Sequence, residues 1–334
     1  MSKPIVGIHT PTPTDSTSLY RAWGPWTQLK DMVDLYTINL NLPKWPVIAN
    51  CDLIFMHRPS TPEEFNFIKE AQDLGKKVWV DYDDDVFHVD ASNDSFQHYV
   101  KEDVLPGIAE SIKIADVLTC STESIANTFR ENGANPTVIE NEIPIHLLND
   151  DYLLPINYNN DVICWRGTKH HIVNIGYFEK AFAEIGINQT PMVFMGFRPF
   201  TVREYFTPGK MMEIIGMHQW QYFKKLRSIR ASTHIVPLKD TIFNRGKSNI
   251  AYQEALLFGN SMCVVPNFPE WHTLSGVVVY ENRDDFTDKV YQAYNMKPKA
   301  RRSIVELARN NLLSSLRQFK SSKERIHILK ELNL

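Results

Sequence analysis

The residues best suited to chemistry fall in a few short stretches. Phe243-Asn244-Arg245-Gly246-Lys247-Ser248 opens a segment with helical spacing that runs to Gly259, and Glu254 lies two turns further on. Arg166-Gly167-Thr168-Lys169-His170-His171 follows an apolar, strand-like run. Asp81-Tyr82-Asp83-Asp84-Asp85 closes another such run, and His57-Arg58 closes a third. The first turn of a helix presents unpaired N–H groups and the positive end of its dipole, so Gly246, Lys247 and Ser248 at a helix start can hold a phosphate. Glu254, projecting from the same helix, can accept hydrogen bonds from vicinal hydroxyls such as those of a ribose. The plainer alternative is an ordinary strand–helix–strand unit in which Lys247 and Glu254 are solvated. Arg166 and Lys169 around Gly167 form a second candidate cradle. Four carboxylates between Asp81 and Asp85 repel one another, which leaves metal coordination, general-base work, hydrogen bonding to hydroxyls, or a solvated acidic turn. His170 and His171 are adjacent, so their side chains diverge and lack the spacing of a chelating pair.

These stretches must be positioned by alternating strands and helices. Ile5–His9, Asp52–Met56, Lys77–Val80, Val117–Cys120 and Thr137–Ile139 are apolar runs with strand character, separated by helical patterns. Thr61-Pro62-Glu63-Glu64 carries a cap, a proline at the first helical position and acidic first-turn residues, which starts a helix running to Gly75. A helix is expected from Val100 to Ala115, and another from Ser121 or Thr122 to Gly133. The loop Thr10–Asp15 and the aromatic stretch Tyr20-Arg21-Ala22-Trp23 lie at the carboxyl end of the first strand, where α/β proteins bind ligands. Trp26 reads as core. Residues 145–160, rich in Asn, Asp and Pro, read as a linker. The pattern then restarts with Val162–Trp165, Pro191–Gly196, Met211–Gly216, His234–Leu238 and Ser261–Val265 as strands, a helix following His171 through Ile185, another from Trp220 to Ile229, and two or three helices between Phe286 and Leu334.

A chain of 334 residues with 43% hydrophobic and 22% charged residues is large enough for two globular α/β units. The alternation implies parallel sheets covered on both faces. Cys51, Cys120, Cys164 and Cys263 sit in or beside apolar runs without a close C-x-x-C pair, so they read as buried thiols of a reducing compartment. A net charge of −3 offers no general attraction to nucleic acid. No apolar run approaches membrane-spanning length, and a cytoplasmic location is expected.

Taken in order, Asp81–Phe87, Ala115–Glu123, Trp165–Thr168, and Val236-Pro237-Leu238-Lys239-Asp240 leading to Phe243-Asn244, Lys247-Ser248, Glu254-Ala255 and Gly259 resemble the GT-B glycosyltransferases. The resemblance is to the retaining glycosyltransferase family 4 in particular, with its phage and bacterial relatives. It implies two Rossmann-like domains facing a central cleft: residues 1–148 on the acceptor side, 149–312 binding the donor, and 313–334 a helix packing back on the N-terminal domain. It implies a nucleotide-sugar donor, a UDP- or GDP-sugar first, with no metal or other cofactor required. Arg166, Gly167, Lys169, Asn244, Lys247, Ser248 and Glu254 would bind that donor. His57, Asp83 and Asp84 would serve catalysis or sugar contact, and Tyr20, Arg21, Trp23 and Arg58 would face the acceptor. The acceptor hydroxyl would belong to a modified (hydroxymethylated) base in phage DNA or to a surface glycan. One departure stands out: relatives with an E-x7-E pattern carry an acid where this chain has Gly246. Asn244 or a carboxylate among Asp83 to Asp85 would have to substitute for it. The departure motivates a second reading, a non-catalytic nucleotide-sugar-binding scaffold, and a third is an epimerase of the same fold.

Overall fold

The computed structural model of the chain describes residues 3–42, 44–154, 160–197 and 200–334. Twelve strands among these form two six-stranded sheets, parallel throughout. The N-terminal sheet contains β1 (Ile5–His9), β2 (Asp34–Thr37), β3 (Leu53–His57), β4 (Lys77–Tyr82), β5 (Val117–Cys120) and β6 (Thr137–Val138) in the order β2-β1-β3-β4-β5-β6. The C-terminal sheet contains β7 (Asn160–Arg166), β8 (Met192–Gly196), β9 (Met211–Ile215), β10 (Ala231–Ile235), β11 (Met262–Pro266) and β12 (Val277–Tyr280) in the order β12-β11-β10-β7-β8-β9.

Helices cover both faces, so the strands are apolar on both. Along β3 and β4, Ile54, Met56, Val78 and Val80 enter the core on one face, while Leu53, Phe55 and Trp79 enter that on the other. Trp26 is fully buried there, edge-on to Phe55 and Trp79 with both ring centroids 5.4 Å away. The helix over Pro62–Asp73 starts as expected, with Thr61 and Glu64 forming a reciprocal capping box. Thr122 caps Glu123–Glu131, and Gly75 and Gly133 close their helices with positive φ.

Three helices end the chain: Phe286–Tyr294, Pro298–Leu316 and Lys320–Glu331. The last crosses to the N-terminal sheet, where Ile328 and Leu329 join the core around Val6, Ile8 and Trp26. Part of the expected linker, residues 155–159, lies outside the described residues. Before it, Ile145–Leu147 and Asp150–Leu153 form short helical turns. All four cysteines are buried and unpaired.

Several expected elements differ. The helix expected from Val100 starts at Val104, and the one expected through Ile185 divides into Ile172–Tyr177 and Glu179–Ile187. The segment from Lys247 to Gly259 is not one helix. Thr241 caps a short helix over Ile242–Arg245, Gly246–Ser248 form a turn, and Ile250–Glu254 continues into a wider π-turn over Ala255–Gly259. Lys247 and Ser248 therefore precede the helix.

Candidate active site

In each sheet the strand order reverses beside the first strand: between β1 and β3, and between β7 and β10. Loops that leave such a reversal at the carboxyl ends diverge and open a crevice. Here the two crevices face each other across one cavity of about 390 Å³. Asp15, Tyr20, Arg58, Asp83, Asp84 and Tyr99 line it from the N-terminal side, and Arg166, His171, His234, Lys247, Ser248 and Glu254 from the other. Contacts join the domains around its rim: Thr122 Oγ1 donates to the Gly246 carbonyl at 3.1 Å, and Asn141 Nδ2 donates to Ser248 Oγ at 2.8 Å. Gln253 Nε2 donates to the Asn141 carbonyl at 2.7 Å.

The acidic run is resolved carboxylate by carboxylate. Asp81 is buried and accepts from Arg21 Nε and Nη2 at 3.0 and 2.6 Å. Asp85 is buried and accepts from Thr128 Oγ1 at 2.8 Å. Asp83 meets His57 Nε2 at 3.2 Å and pairs with Arg58. Asp84 meets Arg58 Nη2 at 2.6 Å and, across the cleft, Lys247 Nζ at 2.7 Å. Mutual repulsion is thus relieved by a cation or hydroxyl at each, with Arg58 shared between Asp83 and Asp84. Burial alone would raise the Asp83 carboxyl, but Arg58 and His57 hold it well below the usual carboxylate range. Arg58 has φ 53°, a left-handed conformation that residues with a Cβ rarely adopt, and its backbone N–H donates to the Asp81 carbonyl at 2.8 Å.

The opposite wall carries two cations, Lys247 and Arg166, and one acid, Glu254. Lys247 Nζ also lies 4.2 Å from the centre of the Phe243 ring. Arg166 Nε is 2.9 Å from Glu254 Oε2, too poorly aligned for a hydrogen bond, and its buried Nη2 has no hydrogen-bond partner among the described residues. Burial opposes its charge, but Glu254 keeps the guanidinium protonated. Glu254 itself is 2% exposed and accepts from the Tyr20 hydroxyl at 2.5 Å and the Tyr222 hydroxyl at 2.7 Å. Desolvation, with Lys247 and Arg166 close by, lowers His171 to about 3, so its ring is neutral.

The structure therefore brings Tyr20, Arg58, Asp83, Asp84, Arg166, Lys247, Ser248 and Glu254 to one cavity and sets the other candidates elsewhere. Arg21 is fully buried on Asp81 and cannot face an acceptor; this corrects its acceptor-side assignment. Trp23 packs at the edge of the N-terminal core rather than on the cavity. His57 is 1% exposed, with Nδ1 3.1 Å from Thr10 Oγ1 and Nε2 on Asp83, so it reaches the cavity only through that carboxylate. Gly167 lies behind the lining, where a Cβ would come 2.6 Å from the Trp165 ring. Lys169 is at the mouth, 3.0 Å from Asp94. Asn244 is buried, and its amide donates to Asn174 Oδ1 at 3.0 Å and to the Lys239 carbonyl at 2.9 Å, holding the turn together. Its amide nitrogen is thus committed within the C-terminal domain, and the residue does not line the cavity. Gly246 faces the other domain, with Ile125 Cγ1 3.2 Å and Asp85 Cβ 3.5 Å from where its Cβ would be. The position is tight for any side chain, and Ile125 would have to shift to admit one.

Tyr99, Tyr222 and His234 lie outside the stretches singled out from the sequence, whereas Asp15 and His171 lie within such stretches without an assigned role. Tyr99 ends a one-turn helix, Phe96–Tyr99, too short to show a period, and His234 and Tyr222 lie within elements that read as scaffold. Among the described residues no group of three or more His, Cys, Asp or Glu is placed to hold a metal ion, and no helix is long and apolar enough to cross a membrane.

This double-crevice topology has many counterparts of known structure. A glycosyltransferase from Rickettsia africae superposes with a TM-score of 0.62 at 12% identity, covering 98% of each chain. The catalytic domain of starch synthase IV from Arabidopsis thaliana, bound to ADP and acarbose, gives 0.62 at 9% identity over 96% of this chain and 99% of that one. The fold is GT-B. The T4 phage enzyme BGT in complex with its UDP-glucose substrate gives 0.58 at 12% identity, covering both chains completely. At such identities the likeness is one of fold. No protein-family model and no curated protein matches the chain.

Proposed function

We propose that the protein transfers a sugar from a nucleotide-sugar donor to an acceptor hydroxyl, with the donor bound on the C-terminal wall of the cleft. The observation that carries this reading is the pairing of two crevices across one cavity, one wall bearing the cations Arg166 and Lys247 and the other the carboxylates Asp83 and Asp84. A departing diphosphate needs positive charge that is already in place, and Arg166, whose buried Nη2 has no hydrogen-bond partner among the described residues, keeps a donor uncommitted beside the cavity. In the retaining form of the reaction the anomeric C–O bond to phosphate breaks while a bond from the acceptor oxygen forms on the same face. The acceptor proton passes to the departing phosphate oxygen, so no dedicated base is required and no metal need neutralise the charge. Asp84 and Tyr99 are placed to orient the acceptor.

The acidic N-terminal wall favours an uncharged, hydroxyl-rich acceptor such as a glycan. Against a duplex with a modified base stand the burial of Arg21 and the pairing of Arg58 with two carboxylates, which leave few free cations for a phosphate backbone. The scaffold reading loses its original motive, because Gly246 is accounted for by close approach of the two domains. Thermal unfolding of the protein with UDP, GDP, ADP, CMP and dTDP at millimolar concentration tests the donor site. A selective rise in melting temperature is expected for one base, since a ligand stabilises according to its concentration over Kd. No rise with any of them would overturn the reading.

A further inference from the structure

His234 is a buried polar side chain at the cavity that the proposed reaction does not use. It lies on β10, is 1% exposed, and lines the floor of the cavity. Neither ring nitrogen has a hydrogen-bond partner among the described residues. Its register neighbours are Cys164 on β7 and Cys263 on β11, thiols that burial keeps protonated. A strand interior with two sulfur neighbours would be filled more stably by valine or leucine, because an unpaired buried polar group forfeits its hydration and receives nothing in return. Burial, with Arg166 nearby, lowers the imidazole to about 3, so one ring nitrogen carries a proton and the other a lone pair. That pair of functions matches a hydroxyl, which accepts one hydrogen bond and donates another.

The ribose hydroxyls need such a partner. Glu254, the carboxylate expected to take them, already accepts from Tyr20 and Tyr222 and faces Arg166. We propose that the His234 imidazole hydrogen-bonds a hydroxyl of the nucleotide-sugar donor and so determines which donors the cleft accepts. This rests on reading the cleft as a nucleotide-sugar site. The hydroxyl belongs either to the ribose or to the transferred sugar, and the two sources are separable.

The test compares wild type with His234→Leu and His234→Gln by calorimetric titration of UDP, GDP, their 2′-deoxy and 3′-deoxy analogues, UDP-glucose and GDP-mannose. Wild type is expected to prefer a ribonucleotide over one deoxy analogue by about tenfold, the worth of one buried hydrogen bond. His234→Leu is expected to bind the ribonucleotide about tenfold more weakly and to lose the preference, and His234→Gln to keep part of it. A loss confined to the sugar conjugates would place the hydroxyl on the transferred sugar and supports the same role. The free His234→Leu protein should melt no lower than wild type, which a structural histidine would not allow. Unchanged affinities and preferences in both variants overturn the role of His234 and leave the nucleotide site standing. Loss of the fold in both variants also overturns it, by making the imidazole structural. If wild type binds none of these probes and none of ADP, CMP and dTDP, the nucleotide site fails and His234 with it.

Discussion

Lys247 is shared between its partner in the free protein and its proposed ligand, so two substitutions should change donor affinity in opposite directions. Its Nζ lies 2.7 Å from Asp84 Oδ1, with the side chains 24% and 23% exposed. Lys247→Ala removes a charge-assisted contact to the diphosphate, worth about 1.5–3 kcal/mol. Nucleotide affinity should fall by about ten- to one-hundred-fold. Asp84→Asn removes the carboxylate that competes with the diphosphate. A partly exposed pair contributes about 1 kcal/mol after screening, so affinity should rise about fivefold. Arg58 keeps Asp83 as a partner in that variant, so the wall stays ordered. Transfer to an acceptor should fall in both variants. Calorimetric titration with UDP and GDP at low and physiological salt reads both signs, and the gain from Asp84→Asn should shrink as salt rises. If Asp84→Asn weakens binding as much as Lys247→Ala, Asp84 positions the lysine and does not compete for it. If Lys247→Ala binds like wild type, the phosphate assignment is wrong.

Gly246→Glu would restore the E-x7-E pattern, but its Cβ would come within 3.2 Å of Ile125 Cγ1 and 3.4 Å of the Phe243 carbonyl. Scanning calorimetry should show a loss of about 1–3 kcal/mol, and transfer should not improve; a gain in activity would show that the domains part enough to admit an acid. Glu270 is half-buried, and its carboxyl is raised to about 7 by burial and by repulsion from Glu140 and Glu123 of the other domain. The folded state binds this proton more tightly than the unfolded one, so stability is highest below the unfolded value near 4.5 and falls as pH rises to about 7. Glu270→Gln should raise the melting temperature at pH 8 and leave it unchanged at pH 4; a loss of stability at pH 8 would contradict that sign.

What the chain displayed openly were the interiors of its sheets. Leu53–His57 and Met262–Pro266 are buried along their whole length, and a parallel strand covered on both faces is an unbroken apolar run. Asp34–Thr37 was missed because it is an exposed edge strand with no such run; Val277–Tyr280, at the other sheet's edge, was missed although its four residues are apolar. The turn before Ile250 was misplaced because Thr241 caps its own short helix, a signal weaker than the glycine that follows. Arg21 was assigned to the cleft from its place after the first strand. Its pairing with Asp81, sixty residues on, depends on packing between strands and leaves no local trace. The Asp84–Lys247 contact spans both domains and was equally invisible. The cations Arg166 and Lys247 and the acid Glu254 were found because their neighbours, a strand end and a helix start, are themselves local patterns. His234 resembled any other strand residue, since being unpaired is a property of surroundings and not of sequence.

The most direct test of sugar transfer needs no knowledge of the acceptor. UDP- and GDP-sugars are incubated with the protein alone, and release of free sugar is followed by the anomeric proton signal in NMR, where water stands in for the acceptor. Slow release of one sugar, first as the anomer present in the donor and abolished in Lys247→Ala, is the expected result. Binding of the same nucleotide without any release would contradict catalysis and leave a nucleotide-sugar-binding protein.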